Sequence, residues 1–284
     1  MKRIYVLPNV ITAFGLSCGL FVIFKMNMTE VGQVTQELLV SIAGILVLAA
    51  LADLLDGAVA RAMKAESEFG TIFDSLADAI TFGVAPSVIV LKSLSVTPGS
   101  QLSFFITTAA IVYSICGILR LARFGVQAQQ SKENQIFADS FKKNFTGLPI
   151  PAAASAIVSM NLLLASDELK AMLTLSEGVR AIILCCTLLL IGYFMICRWK
   201  FPSFKSLHVR VASFHIVFYT VIAAVCLFYG LLHYFPLVFF GFSWLYLVLG
   251  WTLSLARAFS DKRSKTLEDF EPDPEPEFDD GDVR

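Results

Sequence analysis

The feature that most constrains this chain is a succession of long apolar stretches parted by short polar connections. A helix that crosses the hydrocarbon core of a bilayer needs about 20 mostly apolar residues, because the backbone must satisfy its own hydrogen bonds there. About eight stretches meet or approach that length. They are 10–25, 38–63, 69–92, 102–124, 148–166, 179–197, 212–234 and 237–256. Hydrophobic residues make up 56% of the 284 residues and charged residues only 16%, too apolar a balance for an ordinary soluble domain. The expected fold is an all-α integral membrane protein with about eight transmembrane helices.

The net charge of -1 conceals a strong asymmetry along the chain. With the N-terminus inside, the inner connections carry Lys2, Arg3, Arg61, Lys64, Arg120, Arg123, Lys142, Lys143, Arg198, Lys200, Arg257 and Lys262, among others. The outer ones carry only Lys25, Lys92, Lys170 and Arg180. Cytoplasmic loops collect Lys and Arg, so the expectation is a multi-pass protein of the cell (inner) membrane with both termini cytoplasmic. The first apolar stretch runs into Lys25 and Met26 rather than a small-residue cleavage site, and reads as a first span rather than a cleaved signal. Cys18, Cys116, Cys185, Cys186, Cys197 and Cys226 all fall in or beside apolar segments without metal-ligand spacing, as small membrane-buried residues do. Residues 1–260 read as one membrane domain. Residues 261–284 form an acidic, Pro-containing tail that cannot bury a core and is expected to be disordered in the cytoplasm. No nucleic-acid partner is expected.

Four aspartates stand out against this apolar background. Asp53 and Asp56 close the second span, and Asp74 and Asp78 open the third. A charge within a membrane helix costs at least a few kcal/mol unless paired, hydrated or ligated. Spacing of i, i+3 on one helix and i, i+4 on the next puts each pair on a single face. A connection from Ala62 to Phe69 makes the two helices antiparallel neighbours, so both pairs can converge on one cavity at the cytoplasmic end. Oxygen ligands without His or Cys favour Mg²⁺, Mn²⁺ or Ca²⁺ over zinc or copper. Two such ions about 3.5–4 Å apart suit displacement at phosphorus, because they bind both the attacking and the leaving oxygen. Gly57 and Gly70 lie one turn from Asp53 and Asp74. Each leaves room for a ligand or for close helix packing. Arg61, two turns after Asp53, can meet a phosphate, pair an aspartate or snorkel to the interface.

The run Asp53, Asp56-Gly57, Ala60-Arg61, Gly70, Asp74, Asp78 resembles the signature of the CDP-alcohol phosphotransferase family. The resemblance implies a homodimer with a six-helix membrane core, to which the last two helices are extra, and a cytoplasm-facing site with two divalent cations, Mg²⁺ or Mn²⁺. It implies Asp53, Asp56, Asp74 and Asp78 as metal ligands, with Asp78 also the base for the acceptor hydroxyl. It places the cytidine diphosphate of the donor beside the first two helices, where Asn9, Asp53, Gly57, Ala60, Arg61 and Gly70 would bind CDP-diacylglycerol.

Further stretches look like the membrane-bound bacterial and archaeal branch of the family that transfers a phosphatidyl group to L-serine. They are Leu7-Pro8-Asn9 with Thr12, Asp74 to Asp78 running into Phe82-Gly83-Val84-Ala85-Pro86, Leu119 to Phe124, and Phe145 to Pro151. CDP-diacylglycerol and L-serine are accordingly the expected substrates, and membrane lipids the surroundings. Asn9 could contact a cytosine or ribose edge, or cap a helix after Pro8. Arg120 and Arg123 could hold a lipid phosphate or a serine carboxylate, and positive-inside anchoring would account for one of them. Lys142 and Lys143 could meet anionic headgroups or form a solvated basic loop. Gly83 and Pro86 inside the third span predict a kink or thinned wall beside the site. Two alternatives remain: a synthase of phosphatidylglycerophosphate or phosphatidylinositol phosphate, and, from another class, a cation transporter with intramembrane carboxylates.

Overall fold

The structure is a computed structural model that describes residues 6–30, 32–63, 67–97, 99–133, 147–173, 175–197, 229–230 and 233–260, with the side chains of 127–133, 253 and 255–260 outside the description. The expected seventh span at 212–234, the basic pair Lys142 and Lys143, and the acidic tail 261–284 therefore lie wholly or mostly outside the described residues. Those residues form helices and no strand. In chain order the helices are α1 (Val6–Met28), α2 (Gln36–Ala62), α3 (Glu68–Asp78), a π-helical turn (Ala79–Val84), α4 (Ala85–Ser93), α5 (Gln101–Glu133), α6 (Ile150–Ala165), α7 (Asp167–Met172), α8 (Glu177–Ile196) and α9 (Phe235–Ser260). Six helical segments among the described residues are long and apolar enough to cross a membrane, with α3 to α4 counting as one of 26 residues. The expected fifth span is the shorter apolar helix Ile150–Ala165.

Small residues at helical spacing let these helices approach closely. On α1 the buried residues include Pro8, Thr12, Gly15, Gly19, Val22 and Met26, which alternate steps of four and three and make one stripe along the helix. A Cβ on Gly15 would sit 3.6 Å from Ala52 Cβ of α2, so the two helices touch there through small side chains. On α2 the buried stripe runs through Ile42, Leu46, Ala49 and Ala52 to Asp56. Asp56 is thus carried into the α1–α2 seam by the same periodicity that buries the apolar residues before it. Thr35 and Ser67 cap α2 and α3, accepting from Leu38 N at 3.3 Å and Gly70 N at 3.0 Å, which satisfies backbone donors left open at helix starts.

The kink expected from Gly83 and Pro86 takes the form of the π-helical turn. Pro86 has no N–H to offer the carbonyl of Phe82 four residues earlier, and its ring crowds that carbonyl. The helix responds by widening: the Ala85 N–H bonds Ile80 O, five residues back. Two side chains of α5 serve the freed carbonyls, Tyr113 OH donating to Phe82 O at 2.8 Å and Ser114 Oγ to Gly83 O at 2.9 Å. Tyr113 is fully buried, so this bond pins α5 to the third span from within.

The larger core cluster joins α4, α5, α6 and α8 through residues such as Val90, Tyr113, Ile157 and Leu188. A second joins α1, α2, α4 and α6 through Val22, Ile42, Ile89 and Leu162. α9 lies against α6 and α8. Trp244 Nε1 donates to Ala156 O at 3.3 Å, and the Trp251 ring packs 4.7 Å from Phe194.

Candidate active site

All four aspartates of α2 and α3 gather where the first half of α1, the end of α2 and the length of α3 converge. A cavity of about 180 Å³ opens there. Asn9 and Thr12 enter it from α1, Asp56, Gly57, Ala60 and Arg61 from α2, and Gly70, Thr71 and Asp74 from α3. Five residues expected at the donor site, Asn9, Gly57, Ala60, Arg61 and Gly70, thus line one space. Asn9 lies inside α1, three residues past its start, so the helix-capping alternative is corrected: α1 begins before Pro8. The Asn9 carboxamide oxygen sits 3.2 Å from where a Cβ on Gly70 would be, and any larger residue at 70 would meet it. Gly57 is less open than its lack of a side chain suggests, because the Arg61 guanidinium folds back to 3.3 Å from where its Cβ would be.

Beyond Asp56 and Asp74 the cavity passes into an inner recess of about 10 Å³. Asp53 and Asp78 line the recess together with Thr81 and Phe82, while Thr12, Asp56 and Asp74 border both spaces. Asp53, expected among the donor contacts, stands on this inner side.

Carboxylate oxygens of Asp53, Asp56 and Asp74 lie within 4.8 Å of one another. Two oxygens on opposite sides of a Mg²⁺ ion are about 4.2 Å apart, so shifts of a few tenths of an ångström would close the three around one cation. Three hard, partly buried donors without nitrogen or sulfur fit such an ion and suit a softer metal poorly. Asp78 shares the recess with these three carboxylates. Asp56 is held in place from α1: the Thr12 hydroxyl lies 2.5 Å from Asp56 Oδ2 and 3.1 Å from Pro8 O. Hydrogen bonds of that kind orient metal-binding carboxylates.

Arg120 and Arg123, expected to act as a pair, separate. Arg120 is buried, has no partner for its Nε among the described residues, and lies within electrostatic reach of Asp78, of Arg123 and of Tyr246 of α9. Arg123 instead donates from Nη1 to Ile196 O at 2.9 Å. It serves an open carbonyl at the end of α8, where a cation also complements the helix dipole. Its Nη2 lies 3.3 Å from where a Cβ on Gly147 would be; that glycine, at φ +90°, is close to the α8 terminus. Sequence reasoning quoted Thr12 without a role and passed over Ser67, Thr71 and Thr81. The only signal for Thr12 was its place one turn after Pro8 on the stripe that faces α2.

The fold and the site define a multi-pass membrane protein with a cluster of aspartates that could hold a cation beside a cavity. A match to the CDP-alcohol phosphatidyltransferase family covers residues 5–193, and the chain belongs to that family, whose members use divalent metals. It is similar to CDP-diacylglycerol–serine O-phosphatidyltransferases from several organisms. The protein of that name from Helicobacter pylori is 29% identical over 266 residues, covering 92% of this chain and 98% of that one. Those from Bacillus subtilis and Methanocaldococcus jannaschii are 34% and 33% identical over 154 residues, 54% of this chain and 70% and 60% of theirs. The H. pylori similarity spans more of the chain than the family match, which ends within α8.

Proposed function

We propose that this enzyme transfers the phosphatidyl group of CDP-diacylglycerol to the hydroxyl of L-serine, giving phosphatidylserine and CMP. The observation that carries the transfer reaction is the cavity in which the donor-site residues of three helices border a cluster of carboxylates. Serine as acceptor is supported by relatives of that name in bacteria and archaea, one of them similar along 98% of its length.

Asp53, Asp56, Asp74 and Asp78 would hold the metal, as two ions, Mg²⁺ or Mn²⁺, the first three having oxygens within 4.8 Å of one another. When bound, the ions supply positive charge for the donor diphosphate and for the leaving CMP. Asn9, Gly57, Ala60, Arg61 and Gly70 would receive the cytidine diphosphate end of the donor, the glycines by letting Arg61 and Asn9 lie close over them and Arg61 by offering a cation to phosphate. Asp78 also takes the proton from the acceptor hydroxyl as its oxygen bonds the phosphorus attached to diacylglycerol and the bond to CMP breaks. Arg120, within electrostatic reach of Asp78, would receive the serine carboxylate. Lys142 and Lys143 would face anionic headgroups. The distribution of Lys and Arg supports an inner-membrane protein with termini and site in the cytoplasm, and the family signature supports a homodimer. Residues 1–260 are taken as the catalytic domain and 261–284 as its tail.

Purified protein incubated with CDP-diacylglycerol and, separately, serine, glycerol 3-phosphate, inositol phosphate and water tests the reading. Phosphatidylserine is the expected product, and a different phospholipid formed in preference to it would overturn the acceptor.

A further inference from the structure

We propose that Tyr113 of α5 is a positioning residue for the transfer reaction: by donating to Phe82 O it fixes the winding of the π-helical turn, and with it the direction in which Asp78 presents its carboxylate. This inference rests on the role given to Asp78 above, but not on serine being the alcohol.

Asp78 is the last residue of α3, and the π-helical turn begins at Ala79. Such a turn holds about one residue more than an α-helical one. At about 3.6 residues per turn, the extra residue changes the direction of the side chains before it, relative to those after it, by about 100°. The helix after the turn is fastened to α5, because Ser87 Oγ of α4 lies 3.1 Å from Ala110 O and 2.9 Å from Ser114 Oγ. With α4 held there, regular winding through the whole span Glu68–Ser93 would swing Asp74 and Asp78 by about 100° away from the recess that they line with Asp53 and Asp56. The widened turn thus lets one span face α5 with Ser87 and the other carboxylates with Asp78.

Tyr113 holds that turn at its middle. Pro86 has no N–H to offer Phe82 O, so the carbonyl is open to another donor, and the Tyr113 hydroxyl meets it at 2.8 Å. Tyr113 is fully buried, so water has little access to replace its hydroxyl. Close packing keeps the donor in place. A Cβ on Gly117 of α5 would lie 3.6 Å from Gly83 Cα in the turn, and a Cβ on Gly192 of α8 would lie 3.5 Å from Tyr113 Cα. α8 therefore backs α5, and α5 backs the turn. On the opposite side α1 closes in, where a Cβ on Gly19 would come within 2.9 Å of Thr81 Cα. Tyr113 itself lines neither the cavity nor the recess, so its effect on the reaction passes through the turn.

The test is a double-mutant cycle on the full-length enzyme: wild type, Tyr113→Phe, Asp78→Asn and the two together, in one detergent with Mg²⁺ or Mn²⁺. The readout is CMP release in a single turnover with the alcohol that wild type uses. Tyr113→Phe keeps the ring and removes only the hydroxyl. It is expected to lower the rate by about 10-fold, within the loss that follows misplacement of a reacting group by about 1 Å, and to leave the affinity for CDP-diacylglycerol within about twofold. Added to Asp78→Asn, it is expected to slow the residual rate by less than about twofold, because a residue that acts through Asp78 has nothing left to act on. Ser93→Ala serves as the structural comparison. It removes a buried bond to Asn161 Oδ1 at the far end of the same span, and is expected to lower the unfolding temperature with the rate unchanged. Should Tyr113→Phe not fold, Ser114→Ala, which releases Gly83 O, takes its place in the cycle with the same expectation. A wild-type rate in Tyr113→Phe, or a comparable loss on top of Asp78→Asn, would overturn the proposal and leave the role of Asp78 standing. A wild-type rate in Asp78→Asn would remove that role and the proposal with it. If CMP is released only with another alcohol, the serine reading fails alone, and the same cycle on that alcohol decides the role of Tyr113.

Discussion

Replacing Thr12 by valine tests how the metal cluster is held. The side chain keeps its β-branched shape, so α1 and α2 should pack as before, but Asp56 Oδ2 loses the hydroxyl now 2.5 Å away. A hydrogen bond to a charged group contributes about 1.5–3 kcal/mol. At about 1.4 kcal/mol per tenfold, its loss predicts a decrease in metal affinity of roughly 10- to 100-fold, the range found when partners of metal ligands are removed. Asp56 is only 5% exposed, so water has little access to replace the lost donor. The assay is transferase activity against Mg²⁺ or Mn²⁺ concentration for wild type, Thr12→Val and Thr12→Ser. The valine curve should move to higher metal and regain most of its maximum there, while the serine curve stays near wild type. Identical metal dependence in wild type and Thr12→Val would refute the argument that α1 orients the cluster.

Chelation by EDTA should abolish transfer and added Mg²⁺ or Mn²⁺ should restore it, with Zn²⁺ a poor substitute for an all-oxygen donor set; full activity in chelator would sink the metal site. Asp53→Asn should weaken metal and donor binding together, whereas Asp78→Asn should slow the single-turnover rate by roughly 100-fold or more with donor affinity less affected. Equal loss of donor binding in the two variants would remove Asp78 as base. Arg120→Ala should raise the KM for serine, while Arg123→Ala, which loses the bond to Ile196 O, should chiefly lower thermal stability; the reverse pattern would contradict the division of roles between them. Gly19→Ala should destabilise the protein by about 1–3 kcal/mol through overpacking, because its methyl would meet Thr81, and an unfolding temperature equal to wild type would show that α1 can move.

Much of this was legible in the sequence, because each legible feature depends on one helix at a time. Runs of apolar length give spans whatever their neighbours are, and aspartates three or four apart share a face in any α-helix. The same stripe that buries Leu46 and Ala49 carries Asp56 inward. Gly57, Ala60, Arg61 and Gly70 could be grouped because a short turn forces their two helices together. What only the tertiary structure decided is how helices distant in sequence meet. Thr12 reaches Asp56 across 44 residues because Gly15 lets α1 lie against α2. Arg120 and Arg123 lie one turn apart inside α5 but differ in their surroundings, one buried within electrostatic reach of Asp78 and the other bonded to the end of α8. That oxygens of Asp53, Asp56 and Asp74 come within 4.8 Å of one another also depends on the crossing of α2 and α3. Thr81 is the clearest case. A helical pattern predicts its hydroxyl turned back on the carbonyl of Ala77. The widened turn before Pro86, tied to α5 by Tyr113, instead leaves it against Gly19 of α1 without a hydrogen-bond partner among the described residues, and periodicity alone carries no trace of that one-residue change in winding.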